Sequence, residues 1–368
     1  MRPTLVSIAV LLYVIIAGCA ILGGRARAEQ DGAARASAGG SSGARVIEPG
    51  MLPIRAVGIQ LQRTDWIEEY KQCIDEVAAL GADGVKFVVD ARQEDGTSNR
   101  IYIDLRMTPS AEQLGELIRY AKGKGLKVIL MPIVLLDDPK GDEWRGTLKP
   151  ESWAEWFESY RGIMAHFLWI AEGNGVDVFV IGSELVSSER QAAEWEKTID
   201  FIRGRYSGLL TYSSNWDHYE DIPFWEKLDL IGMNSYWTLG PDEHTSVETI
   251  QRNWEDIQAE LEPFVREKGK PLLFLEIGWC SLDNAAVEPW DYTKDVPVNL
   301  DLQKRLYEGF FESWHGVPWL GGFSVWEWPP GEGGPEDRGY TPKNKPAEGV
   351  LRDWLAKPAW GVGVAARK

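Results

Sequence analysis

Two glutamates, Glu184 and Glu276, each stand at the end of a short apolar run. Paired carboxylates delivered in that way suit the hydrolysis of an acetal between sugars, in which one carboxyl group donates a proton to the departing oxygen and the other faces the sugar ring as an anion. The runs are Val176-Asp177-Val178-Phe179-Val180-Ile181-Gly182-Ser183-Glu184 and Leu272-Leu273-Phe274-Leu275-Glu276. Continuous apolar segments of this length read as strands buried on both faces, so each glutamate rides to a strand's C-terminal tip. Strict alternation puts Val178, Val180, Gly182 and Glu184 on one face, and Leu272, Phe274, Glu276 and Gly278 on one face of the second strand. A loop salt bridge is the plainer reading of either glutamate alone; the same exit geometry found twice favours the pair.

Those two strands belong to a series. From Ile54 onward short apolar runs alternate with amphipathic segments, the pattern of parallel strands with helices returning over them. Strands are expected over 54–62, 84–90, 126–136, 176–186, 209–215, 228–236, 272–277 and 320–328. The main helices fall over 64–80 (capped by Thr64), from Pro109 to Gly123 or Gly125, and over 150–173, 191–206, 247–268, 302–314 and 345–355. In the helix over 150–173, Trp153, Trp156, Phe157 and Tyr160 recur at helical spacing and read as core. Eight such units predict one (β/α)8 barrel, a TIM barrel of the α/β class, with its active site at the C-terminal ends of the strands. Glu184 and Glu276, on strands four and seven, then face each other across the mouth.

Several residues at the mouth could support that chemistry. Trp216, Trp237, Trp279, Trp326 and Trp328, among 18 tryptophans in the chain, lie at strand exits, where a flat ring either stacks on a sugar or packs in the core. Tyr236 leaves strand six beside strand seven and either orients Glu276 or is a buried core tyrosine. Glu327 alternates out of phase with Trp326 and Trp328 and is expected to point away. Asp90 is either a hydroxyl binder or a cap, and the acidic run from Asp137 to Glu143 either binds calcium or is a solvated loop. The four histidines show no metal-ligand spacing and there is no Gly-rich phosphate loop, so neither metal nor cofactor is expected. Cys73 and Cys280 read as two packed thiols.

The 56 acidic against 39 basic residues give a net charge of −17, which disfavours nucleic acid and anionic membrane surfaces as partners. The N-terminus opens with Arg2 and runs uncharged from Leu5 to Gly24, the build of an export signal over residues 1–28. Ile16-Ala17-Gly18-Cys19 fits a lipoprotein box, Ala26-Arg27-Ala28 fits a cleavage site, and the apolar run is long enough to remain as an anchor. Residues 29–50 read as a disordered linker, 51–357 as the barrel and 358–368 as a tail. The expectation is an exported monomer, lipid-anchored at the cell envelope or secreted, that meets a membrane only through its N-terminus.

Three segments carry a family resemblance: Ile181-Gly182-Ser183-Glu184-Leu185, Leu228-Asp229-Leu230-Ile231-Gly232-Met233-Asn234-Ser235-Tyr236 and Leu275-Glu276-Ile277-Gly278-Trp279. With Trp144-Arg145-Gly146, Thr211 to Asp217, Trp326 to Trp328, Tyr340-Thr341-Pro342 and Lys345 to Glu348, they resemble glycoside hydrolase family 113, the β-mannanase-type retaining barrels of clan A. The resemblance implies that Glu184 is the general acid/base and Glu276 the nucleophile. It implies an endo-β-1,4-mannanase-like action on a mannan-type polysaccharide or oligosaccharide, bound by Arg145, Asn215, Trp216, Asn234, Tyr236, Trp279, Trp326 and Trp328. Two departures stand out. Ser183 occupies a position where many clan A barrels carry Asn, and Met131-Pro132-Ile133 stands where the mannanases carry a Lys-Pro-His-like triplet. These departures point to a different sugar, or to the alternative of a catalytically inactive sugar-binding barrel of the cell surface.

Overall fold

The computed structural model describes residues 45–363; the segment expected to be an export signal, most of the expected linker and the end of the expected C-terminal tail lie outside the described residues. Eight parallel strands close into a barrel in chain order: β1 Ile54–Gln60, β2 Gly84–Gln93, β3 Lys127–Leu136, β4 Val178–Ser183, β5 Leu209–Ser214, β6 Ile231–Asn234, β7 Leu272–Ile277 and β8 Leu320–Val325. The helices are α1 Ile67–Ala79, α2 Ala111–Gly123, α3 Trp153–Asn174, the single turn α4 Val186–Glu189, α5 Ala192–Arg203, α6 Val247–Lys268, α7 Leu300–Trp314 and α8 Pro346–Leu355. The expected (β/α)8 barrel is therefore present. No helix among the described residues is long and apolar enough to cross a membrane.

Local chemistry sets the helix ends. Ser110 caps α2 in a reciprocal capping box with Gln113, Ser152 caps α3, and left-handed Gly175 and Gly269 stop α3 and α6. Thr64 does not cap α1; its hydroxyl donates to the Arg106 carbonyl at 3.4 Å, and the helix begins three residues later.

Two apolar layers hold the barrel. Ile54, Ala56, Val88, Ile129, Met131, Val178, Val180, Leu209, Leu230, Leu273 and Leu275 fill its interior. Between sheet and helices lies an aromatic layer that includes Trp156, Phe157, Tyr160, Trp195, Trp254, Phe310 and Trp314, while Trp153 packs on its margin. Burying such rings contributes on the order of 2–3 kcal/mol each before the entropy of ordering them is counted. Cys73 and Cys280 are buried free thiols, as expected.

The expected strand phase fails at two places, and both concern the glutamates. Along β7 the pairing with β6 steps from Met233↔Phe274 to Asn234↔Glu276, and that with β8 from Phe274↔Phe323 to Ile277↔Val325, so β7 holds one extra residue. Along β4 the pairing with β5 steps from Val180↔Thr211 to Ser183↔Ser213, again one residue over. A bulge of this kind re-aims the side chains beyond it. Leu272 and Phe274 accordingly face the helices, Leu273 and Leu275 face the interior, and Glu276 still turns inward. Gly182 points outward, where a Cβ would meet Trp195, Tyr212 and Tyr160 at 2.9–3.1 Å.

Candidate active site

A cleft of about 620 Å³ opens at the C-terminal ends of the strands, and both glutamates line it. Glu184 leaves β4 with φ 55°, in the left-handed region that costs a non-glycine residue roughly 1–2 kcal/mol. Hydrogen bonds on either side fix that conformation. The Glu184 N–H donates to the Ser213 carbonyl at 2.8 Å and the Leu185 N–H to the Tyr212 hydroxyl at 2.8 Å, while that hydroxyl donates to Glu189 Oε1 at 2.7 Å.

The Glu184 carboxylate receives a guanidinium N–H from Arg145 and an amide N–H from Asn234. Burial pushes its pKa above the ordinary glutamate value; Arg145 opposes the shift and the charge of Glu276 adds to it. Arg145 sits on a one-turn 3-10 segment after β3. Its neighbour Gly146 has no Cβ because one would overlap the Trp144 ring, which folds back over that turn. Burial disfavours the Arg145 charge, but Glu184 and Glu276 outweigh it and the pKa rises.

Glu276 is held from two sides. The Tyr236 hydroxyl donates to Oε2 at 2.8 Å, and Lys86 Nζ lies 3.7 Å from Oε1. Lys86 is wholly buried inside β2; it donates to the Leu275 carbonyl at 2.6 Å and stands 4.7 Å from the centre of the Trp326 ring. Burial lowers its pKa, against the pull of Glu276, Glu327 and Glu184. A carboxyl group raised toward its neutral form thus faces a carboxylate flanked by a hydroxyl donor and an ammonium group, the division of labour that acetal cleavage requires.

A model of glycoside hydrolase family 113 matches residues 56–345. The chain belongs to glycoside hydrolase family 113. It is 29% identical to the β-mannanase AaManA from Alicyclobacillus acidocaldarius, solved in complex with ManMIm, over 82% of this chain and 97% of that one, with a TM-score of 0.74. A further solved family 113 β-1,4-mannanase is 27% identical over 83% of this chain and all of that one, with a TM-score of 0.76. A GH5_18 protein from Streptomyces cattleya, in complex with Manβ1-4GlcNAc, is 13% identical with a TM-score of 0.55 and shares the fold. No curated protein matches significantly. As a family 113 member the protein is a glycoside hydrolase.

The family 113 cleft gathers some of the expected residues and leaves others out. Arg145, Tyr236 and Trp326 line it beside the two glutamates. Asn234 reaches Glu184 directly, and Asn215 stands behind, accepting from Asn234 at 3.2 Å. Trp216 lines a separate hollow of about 330 Å³ with Trp237, and it stacks on Trp290 of the main cleft with centroids 6.1 Å apart. Trp279 and Trp328 are corrections. Trp279 turns outward and packs edge-on to Tyr307 of α7 at 5.1 Å, and Trp328 donates its ring N–H to Glu76 of α1 at 2.7 Å; both are buried and neither offers a face to a ligand.

Glu327 is a correction in the opposite sense. It lines the cleft and accepts from Gln60 at 2.7 Å, because β8 ends at Val325 and alternation no longer governs the next residues. Burial raises its pKa; the Gln60 bond opposes that and Glu276 reinforces it. Asp90 is fully buried and turned to Arg92 at 2.9 Å, outside the cleft lining. In the acidic run, Asp137 pairs with Arg92 and Glu143 accepts from Gly96 and Lys140. Ser183, expected as a departure from the family pattern, is buried and its hydroxyl has no partner among the described residues.

Sequence reasoning missed Lys86, although a lysine inside the apolar run Gly84-Val85-Lys86-Phe87-Val88-Val89 was a usable signal, since a buried cation demands a partner. It also missed the rim aromatics Trp290 and Tyr292, which lie in an aperiodic stretch after β7, and it named Tyr340 only within a matching segment, without a site role, although its ring lines the cleft and approaches Tyr236 at 6.1 Å.

Proposed function

We propose that this protein is a retaining β-glycosidase acting on mannan-type poly- or oligosaccharides, with Glu276 as nucleophile and Glu184 as general acid/base. Glu276 attacks the anomeric carbon while Glu184 gives its proton to the glycosidic oxygen, which leaves with the bonding electrons. The resulting ester to Glu276 carries no charge, so the contribution of that charge to the raised Glu184 pKa is relieved and the Glu184 carboxylate is stabilised as an anion by Arg145. Glu184 then takes a proton from water as that water attacks the same carbon and frees Glu276, with net retention. Tyr236 and Lys86 act through Glu276 by holding its carboxylate in place, and Asn234 and Arg145 position Glu184. The rings of Trp326, Trp290 and Trp144 supply flat apolar surface for sugar faces.

The observation that carries this reading is the contrast between the two carboxylates in one cleft: one raised by burial, the other held by a hydroxyl donor and an ammonium. The mannan preference rests on the solved family 113 relatives, which are β-mannanases. Hydrolysis of β-mannan and of a nitrophenyl β-mannoside by the wild type and by Glu184→Ala tests it. The variant should lose far more on mannan than on the activated aryl substrate, whose phenolate leaves without a proton; equal losses would refute the acid role. Export through residues 1–28, with Cys19 lipidated or the signal cut after Ala28, and action as a monomer belong to the same proposal.

A further inference from the structure

The polar side chains that line the cleft are Gln60 and Gln62 from β1 and its exit, Glu327 after β8, Glu276 on β7, Tyr236 after β6, Glu184 after β4, Arg145 in the segment after β3, and the loop tyrosines Tyr292 and Tyr340. The lining residues that β2 and β3 themselves supply, Val88, Met131, Ile133 and Leu135, are all apolar. The first three are 1%, 1% and 6% exposed and continue the apolar filling of the barrel, so side chains of this wall cannot swing away and be replaced by polar ones. The charged groups within β2 on either side of Val88 are closed off. Lys86 and Asp90, on the same strand as Val88, have no exposed surface; Lys86 is turned to Leu275 and Asp90 to Arg92.

A sugar held between Glu184 and Glu276 has β3 beside it, because β3 adjoins β4 in the barrel. A free hydroxyl pressed against this wall would lose its water and gain no partner, whereas a methyl group there would gain contact. Resting on the function proposed above, we infer that the glycan unit meeting this wall carries a methyl-bearing group at that position, either an acetyl substituent or the methyl of a 6-deoxy sugar, in place of a free hydroxyl. Val88, Met131, Ile133 and Leu135 are the specificity-determining residues.

The test compares kcat/KM on four substrates: an O-acetylated β-mannan, the same polymer after alkaline deacetylation, a nitrophenyl β-mannoside and its 6-deoxy analogue. A methyl group seated in an apolar site is worth roughly 10- to 200-fold in kcat/KM. The expectation is therefore a preference of at least about tenfold within one of the two pairs, and the pair that shows it identifies the source of the methyl group. Ile133→Asn should shrink that preference to about threefold or less by giving a hydroxyl its partner. Equal or faster cleavage of both unsubstituted substrates by the wild type overturns the inference while leaving the mannan-type reading intact. Hydrolysis of none of the four overturns both.

Discussion

Replacing Lys86 by methionine removes the buried ammonium beside Glu276 and keeps most of the side-chain volume. The pair stands 3.7 Å apart, where two unit charges at an effective dielectric of about 20 attract by about 4 kcal/mol. The cleft is open to water and the Tyr236 hydrogen bond survives, so only part of that attraction is lost, and a fall of about 1.4 to 2.8 kcal/mol in transition-state stabilisation, roughly 10- to 100-fold in kcat/KM, is expected. Lys86 also anchors the Leu275 carbonyl at the β7 bulge, so the loss includes the position of Glu276 as well as the charge beside it. Steady-state kinetics, with circular dichroism to show that the variant is folded, measures it. A folded Lys86→Met enzyme with wild-type kcat/KM would refute the reasoning.

Other outcomes follow from the same geometry. Arg145→Met removes the group that holds Glu184 down, so the alkaline limb should move to higher pH, with a lower plateau from lost orientation; a downward shift would contradict the assignment. Glu189, buried behind β4, has its pKa pushed up to about 7, chiefly by burial with Tyr212 opposing. The folded state therefore binds a proton between about pH 4 and 7 that the unfolded chain does not, and stability falls as pH rises through that window. Glu189→Gln keeps an acceptor for Tyr212 and should be more stable than wild type by up to about 3 kcal/mol at pH 8 but not at pH 4, read from urea midpoints. Cys19→Ala should abolish membrane partitioning if Cys19 is lipidated; soluble protein beginning at Glu29 would show cleavage after Ala28 instead.

The barrel was legible because buried parallel strands leave continuous apolar runs, and the residue at the end of each run is easy to name. Glu184 and Glu276 were found that way, and Tyr236 by its adjacency to β7. The bulges were not legible. An extra residue in β4 or β7 leaves no mark on an all-apolar run, and so Gly182, Leu272 and Phe274 were placed on the wrong face. Trp279, Glu327 and Trp328 were misread for a related reason: they lie past the strand ends at Ile277 and Val325, where strict alternation no longer holds. Lys86 needed a different question, namely what a charge inside a buried strand could be paired with.

Trapping the covalent intermediate tests the central claim most directly. A 2-deoxy-2-fluoro-β-mannosyl fluoride slows both steps by withdrawing electrons from the oxocarbenium-like transition state, while its fluoride leaves without a proton, so the glycosyl-enzyme accumulates. Mass spectrometry of the intact protein and then of its peptides should show one fluoromannosyl group esterified to Glu276. A label on Glu327, the third carboxylate in the cleft, or turnover of the reagent with no label and early release of the α anomer, would contradict it.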